Sequence, residues 1–346
     1  METRRLVYLL ALVLIADAIT TVLAVLRAPY PAFVTLGSPA AYLNIYIHVP
    51  VAINSYVLYT GAFIAAILFL MRRREVYDHY VYAFIVVASM YAAYTLISGS
   101  LWAIESWGAA WNWDPRETGV LLLFIAYLVY FALRASISDP DRAPVVSATY
   151  AIAAYSMVPI SYAAPRIAAS SLHPTKALLQ GFMEQPEVRA YFYTKLLLVL
   201  LIGLLATKLY VERNKLGLTE RRVLKISAVI AAILMIGVAA YLAAEYSGGT
   251  VTRVYAVFGA PDNATLLVRL GGKYANISIS EDLSSYIVDG KIALGGHVVK
   301  LLGLSDNHAE KVKILVPGCV IANLVLYSLL ISGLAYTVLR RKQVEG

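Results

Sequence analysis

All four tryptophans of the chain, Trp102, Trp107, Trp111 and Trp113, fall within twelve residues, and Arg116 follows closely. Flat π surfaces at that density could cover a planar, apolar ligand, and a guanidinium beside them could fork onto its acidic groups. An interfacial aromatic belt is the competing reading, because indole favours the headgroup region of a bilayer. A belt would spread over both faces and several connections, whereas one connection takes every tryptophan here. The five histidines are His48, His79, His173, His297 and His308. On position alone, each reads as a solvated polar residue. The single cysteine, Cys319, excludes a disulfide within the chain, a Cys-x-x-Cys redox pair and a thiolate metal cluster.

The elements that must position these groups are membrane spans. Hydrophobic residues make up 60% of the chain and mean hydropathy is +0.70, against about 45–50% apolar residues in a soluble domain. Runs long enough to cross roughly 30 Å of hydrocarbon occur near 6–27, 45–70, 79–99, 118–138, 145–163, 193–212, 226–245 and 315–338. The first exceeds the apolar core of a cleaved signal peptide and is expected to remain as an anchor. With a cytoplasmic N-terminus, sixteen Lys and Arg fall on inside segments, among them Arg72 to Arg74, Arg213 to Lys225 and Arg340 to Lys342. Only Arg27, Arg116, Arg166, Lys176, Arg189 and Lys195 fall on short outer loops, as the positive-inside rule requires. Both termini are therefore expected inside the cell membrane, and the net charge of +8 is a topology signal rather than a sign of nucleic acid.

One segment has a different texture. Between Tyr246 and Ile314 the apolar runs stop, and Thr252 to Phe258, Ala264 to Leu270 and the alternation of Ala275, Ile277 and Ile279 read as strands. The pairs Gly248-Gly249, Gly271-Gly272 and Gly295-Gly296 punctuate it as turns. The expected organisation is a transmembrane bundle over 1–245 with a tryptophan-rich loop at about 100–117, a small external β domain over 246–314, and a last helix with a cytoplasmic tail over 315–346. The fold class is thus an all-α polytopic membrane protein of about eight helices carrying a small β domain.

Trp107-Gly108-Ala109-Ala110-Trp111-Asn112-Trp113-Asp114, continuing Pro115-Arg116-Glu117-Thr118, resembles the WWD motif of the haem-handling proteins of cytochrome c maturation. Ile47-His48-Val49-Pro50 and Ser171-Leu172-His173-Pro174 resemble the two external histidine segments that flank that motif in the family. The resemblance covers roughly residues 42 to 212 and is greatest to the CcmC branch. Ala110 stands where an aromatic residue is common, and Glu117 is similar to the CcsA and CcmF branches, whose additional transmembrane histidines this chain lacks. The resemblance implies a b-type haem, held non-covalently and transiently on the outer face. His48 and His173 are the implied axial ligands, Trp102, Trp107, Trp111, Trp113 and Asp114 line the site, and Arg116 is the candidate for a propionate. Imidazole ligands on both sides of an iron would hold it six-coordinate. Pro50 and Pro174 are expected to bias the backbone near each histidine away from continuous helix.

Asp114-Pro115-Arg116-Glu117 also reads as a helix start, with an N-cap Asp, proline at the first position and Glu at the third. His79, beside Arg72 to Arg74, reads as interfacial, and Asp17 lies inside the first span, where it requires protonation or a partner. The resemblance implies a presenting or exporting protein rather than an enzyme, with a membrane-anchored haem chaperone, ABC transporter subunits and the lipid bilayer as partners. A CcsA-like synthase that attaches haem is the alternative. An electron-transfer cytochrome b would need histidine pairs inside the spans.

Overall fold

The computed structural model describes residues 2–28, 41–168, 171–173, 185–246, 250–259, 264–270, 273–279, 291–294, 297–305, 308–314 and 318–340. Pro174 and the three glycine pairs lie outside these residues. Among the described residues, eight stretches are long and apolar enough to cross a membrane: Glu2–Arg27, Leu43–Arg72, Glu75–Ile104, Pro115–Ser136, Arg142–Ile167, Pro186–Val211, Leu218–Ala244 and Gly318–Leu339. Leu12, Ile64, Leu122, Leu197, Ile233 and Leu329 are all exposed on the outside of the bundle. Water would not tolerate so continuous an apolar coat, whereas acyl chains match it.

The helices are α1 (Glu2–Arg27), α2 (His48–Arg72), α3 (Glu75–Trp107), α4 (Pro115–Ser136), α5 (Arg142–Ala154), α6 (Met157–Ile167), α7 (Pro186–Val211), α8 (Leu218–Tyr246) and α9 (Gly318–Leu339). A 3-10 turn, Ala41–Tyr46, leads into α2. α3 is central, packing on α2, α4, α7 and α9, while α1 packs on α7 and α8. Leu58, Ile85, Val199, Leu324 and Ile331 are among the buried side chains between them.

Four local outcomes differ from the pattern in the sequence. The fifth span is broken into α5 and α6. Pro159 has no amide hydrogen for the Tyr155 carbonyl, and Val158 N takes that carbonyl instead at 2.9 Å. Pro50 does not interrupt helix: α2 already begins at His48, and in the first turn a missing N–H costs nothing. Trp102 and Trp107 are not loop residues, because α3 stays helical to Trp107, and the tryptophan connection is only 108–114. Lys195 is not on an outer loop either. α7 starts early, at Pro186, and Lys195 is fully buried inside it.

Lys195 is the partner that Asp17 requires. Its Nζ donates to an Asp17 oxygen, to Thr21 Oγ1 at 2.7 Å and to Tyr327 Oη at 3.3 Å, while Tyr327 Oη donates to Asp17 Oδ2 at 2.8 Å. The buried charges are thus neutralised across α1, α7 and α9, which fixes the mutual height of three helices. At one end of the bundle Arg134 grips Asp78 through two bonds of 2.7 and 2.6 Å. His79 lies nearby in a surface contact with Glu75 at 3.3 Å.

Among the described residues between α8 and α9 lie six strands: β1 (Thr250–Phe258), β2 (Ala264–Leu270), β3 (Lys273–Ile279), β4 (Lys291–Leu294), β5 (His297–Ser305) and β6 (His308–Ile314). They form one antiparallel sheet of order β3-β2-β1-β6-β5-β4. The expected stretches Thr252 to Phe258, Ala264 to Leu270 and Ala275 to Ile279 fall within β1, β2 and β3.

Candidate functional site

At the other end of the bundle from Asp78 and Arg134, the start of α2, the end of α3 and the start of α4 converge. His48 is the first residue of α2, and its Nδ1 lies 2.7 Å from Ser98 Oγ on α3. Ser98 in turn donates to Thr95 O at 3.4 Å, so its hydroxyl is left to accept the Nδ1 proton of His48. Nε2 of the ring then carries a lone pair. Gly99 lines the imidazole closely, since a Cβ built there would lie 3.1 Å from His48 Cε1. Trp102, one turn further along α3, meets the His48 ring edge to face, with centroids 5.7 Å apart.

His173 is held by different means. Its Nδ1 is 2.7 Å from Asp114 Oδ1. The same carboxylate accepts from Arg116 N at 2.8 Å, Ser171 Oγ at 2.9 Å and Leu172 N at 2.6 Å. Asp114 therefore caps α4, as the sequence indicates, and also ties the 171–173 segment to α4. Burial alone would push the Asp114 carboxyl up, but the bond and field of His173, the Arg116 amide and the Ser171 hydroxyl outweigh it. The net result holds the group well below the usual carboxylate range. An ionised carboxylate only accepts, so the proton sits on Nδ1 of His173 and Nε2 is again free for a metal. Trp107 meets this ring at 5.0 Å, also edge on. His48 and His173 lie within electrostatic range of one another.

The tryptophans divide into two jobs. Trp102 and Trp107 each abut one histidine, whereas Trp111 and Trp113 meet each other edge to face at 6.0 Å. α3 ends on Gly108, whose φ of 81° closes the helix through Gly108 N to Ile104 O at 3.1 Å. Trp113 also has a left-handed backbone, φ 54°, and is 76% exposed. That conformation is unfavourable for a bulky residue. It turns the chain so that Asp114 enters the protein while the neighbouring indole projects out. Glu117 Oε2 accepts from Asn112 N at 3.0 Å, two residues before the N-cap, and so braces the connection rather than closing a standard capping box.

Arg116 points toward α6. Its guanidinium stacks on Tyr162 at 5.4 Å, and its buried Nε finds no hydrogen-bond partner among the described residues. Arg166 stacks on the same ring at 4.7 Å and donates to Tyr162 Oη at 3.1 Å. Sequence reasoning singled out His48, His173, Trp102, Trp107, Asp114 and Arg116, and these come together at one end. It missed Ser98, Ser171 and Tyr162, whose ring both Arg116 and Arg166 stack on. His297 and His308 begin strands β5 and β6.

The family described as Cytochrome C assembly protein matches residues 3–173. That stretch, which holds both histidines and the tryptophans, is just under half of the chain, and over it the sequence is similar to cytochrome c assembly proteins. It is 36% identical over 99 residues to Heme exporter protein C of Rhodobacter capsulatus, covering 29% of this chain and 41% of that one. A putative cytochrome c biosynthesis ccmC-like mitochondrial protein of Marchantia polymorpha is 34% identical over 87 residues, 25% of this chain and 38% of its own. The Cytochrome c biogenesis protein CcsA of a Synechococcus species is 36% identical over 77 residues, 22% of this chain and 25% of its own. The chain thus spans about two-fifths of the first two relatives and a quarter of the third.

Proposed function

We propose that this protein binds haem as cargo at the end of the bundle formed by the tryptophan connection, and presents or exports it for cytochrome c maturation. The observation that carries the reading is the shared state of the two histidines. Each has Nδ1 engaged by an oxygen and a tryptophan edge against its ring, so each directs a preset Nε2 to an iron. An oxygen accepting the Nδ1 proton fixes the tautomer and raises the basicity of Nε2. Trp111 and Trp113 supply apolar area for the macrocycle. The Nε of Arg116, without a hydrogen-bond partner among the described residues, and its stacked guanidinium suit a propionate. Asp114 orients His173 and does not itself touch the cargo. The charge asymmetry of the sequence supports a plasma-membrane protein with both termini cytoplasmic and this site on the outer face. Haem would be non-covalent and b-type, passed to a membrane-anchored chaperone in concert with ABC transporter subunits.

The likeness to CcsA supports a second reading, in which the same site attaches haem to an apocytochrome. Purified protein loaded with haem and mixed with either a chaperone or an apocytochrome separates the two. Transfer to the chaperone supports presentation, and covalent attachment to the apocytochrome supports synthesis. The site itself is tested by spectroscopy. A low-spin bis-histidine haem is expected, weakened in His48→Ala and in His173→Ala. A spectrum unchanged in the double variant would refute the assignment.

A further inference from the structure

The matched family stretch stops at residue 173, yet the setting of His48 reaches beyond it to α9. Asn323, fully buried on α9, donates through Nδ2 to Asn44 Oδ1 at 2.9 Å and to Ser98 O at 3.3 Å. Those two acceptors belong to the two segments that define where His48 sits. Asn44 lies in the turn before α2, and its carbonyl takes Ile47 N at 3.0 Å, which places the residue immediately before His48. Ser98 carries the hydroxyl on Nδ1 of His48. Asn44 completes its own bonding with Nδ2 on Cys319 Sγ at 3.0 Å, again on α9.

One turn further along α9, Tyr327 is held by Asp17 and Lys195, which fixes the height of the helix. Asn323 then has no freedom to slide away from the level of Ser98. One buried amide therefore clamps the turn that starts α2 to the turn of α3 that orients the imidazole. A neighbouring apolar side chain could fill the space but could not join these two acceptors.

We propose that Asn323 is a positioning residue for the haem ligand His48, so that α9 governs the affinity and electronic state of a site whose recognisable motifs all lie before residue 175. The inference rests on the reading of His48 as an iron ligand. It assigns α9 a part in the site beyond spanning the membrane.

The test uses the full chain in detergent, titrated with haemin, with haem counted per folded protein. Asn323→Asp keeps the size but replaces the donor with an acceptor. Haemin affinity is expected to fall about tenfold, the low end for outer-shell partners of a ligating histidine. The reduction potential should shift, and free imidazole should restore part of the low-spin spectrum. In a His48→Ala background the same substitution should cost nothing further, because the ligand it positions is gone. A purely structural role predicts unchanged affinity and potential per folded molecule whatever the folded yield, and that result overturns the proposal, as does a further loss of affinity when Asn323→Asp is added to His48→Ala. If Asn323→Asp does not accumulate, Asn44→Ser cuts the same clamp from the other side and is read identically. An unchanged spectrum in His48→Ala sinks the functional reading itself. Loss in His48→Ala with none in the clamp variants sinks only the inference drawn here.

Discussion

The two histidines present the same atom by opposite constructions. His48 is set by the bundle: a neutral hydroxyl from α3, a close glycine, and a polar clamp from α9. His173 is set by one carboxylate, which gathers three donors from residues 171–173 and one from the start of α4. The first arrangement spreads positioning over many contacts, each of modest worth. The second concentrates it in Asp114. A site made this way should yield readily on the His173 side and resist on the His48 side, which suits a cargo that has to be released.

The largest break comes from beneath the His48 side. Lys195→Met leaves Asp17 as an uncompensated buried charge with the Tyr327 hydroxyl still against it, and removal of one partner of such a pair costs about 3–5 kcal/mol. Thermal unfolding followed by size-exclusion should show the loss, and the double variant Asp17→Leu/Lys195→Met should recover most of it. Next comes Asp114→Asn, which keeps the shape but weakens the acceptor for His173. About 10- to 100-fold lower haem affinity is expected, whereas Ser98→Ala, which removes a single neutral bond, should cost less. An equal loss in the two variants would dissolve the contrast between the two sides.

Acid sharpens the comparison further. The Asp114 carboxyl is depressed in the folded protein, so its contribution is fully present above the ordinary value of 3.8 and is lost only as pH falls through the lower folded value. Wild-type stability should therefore carry an acid limb below about pH 4 that Asp114→Asn lacks. Identical acid unfolding of the two proteins would argue against this carboxylate as the organiser. The smallest effect is expected at Trp113, where glycine relieves the left-handed backbone and alanine does not. Trp113→Gly should be the more stable of the two by about 1 kcal/mol, with equal loss of aromatic cover.

The spans were legible because about 20 apolar residues in a row have few alternatives. The motif residues were legible because unusual residue types cluster in a short stretch. Pairings over long separation were not, since nothing periodic links Asp17 to Lys195 or Ser98 to Asn323. Lys195 read as a loop residue because a charge conventionally marks the end of a span, and only the bundle reveals its counter-ion. Asp114 gave a correct helix-start signal, but a cap and a histidine orienter look the same in one dimension. The break at Pro159 was available in the sequence, masked by the surrounding apolar run.

That break has a mechanical consequence. With the backbone ladder interrupted after Ala154, α6 is a short rod whose orientation is set by its sideways packing on α4 rather than by α5. The packing is tight: a Cβ on Gly119 of α4 would lie 3.0 Å from Ser161 Cα on α6. Tyr162 and Arg166 therefore register against Arg116 through a glycine-sized contact. Strain introduced into α5 is absorbed at the joint, while one methyl group at Gly119 would reach both guanidiniums.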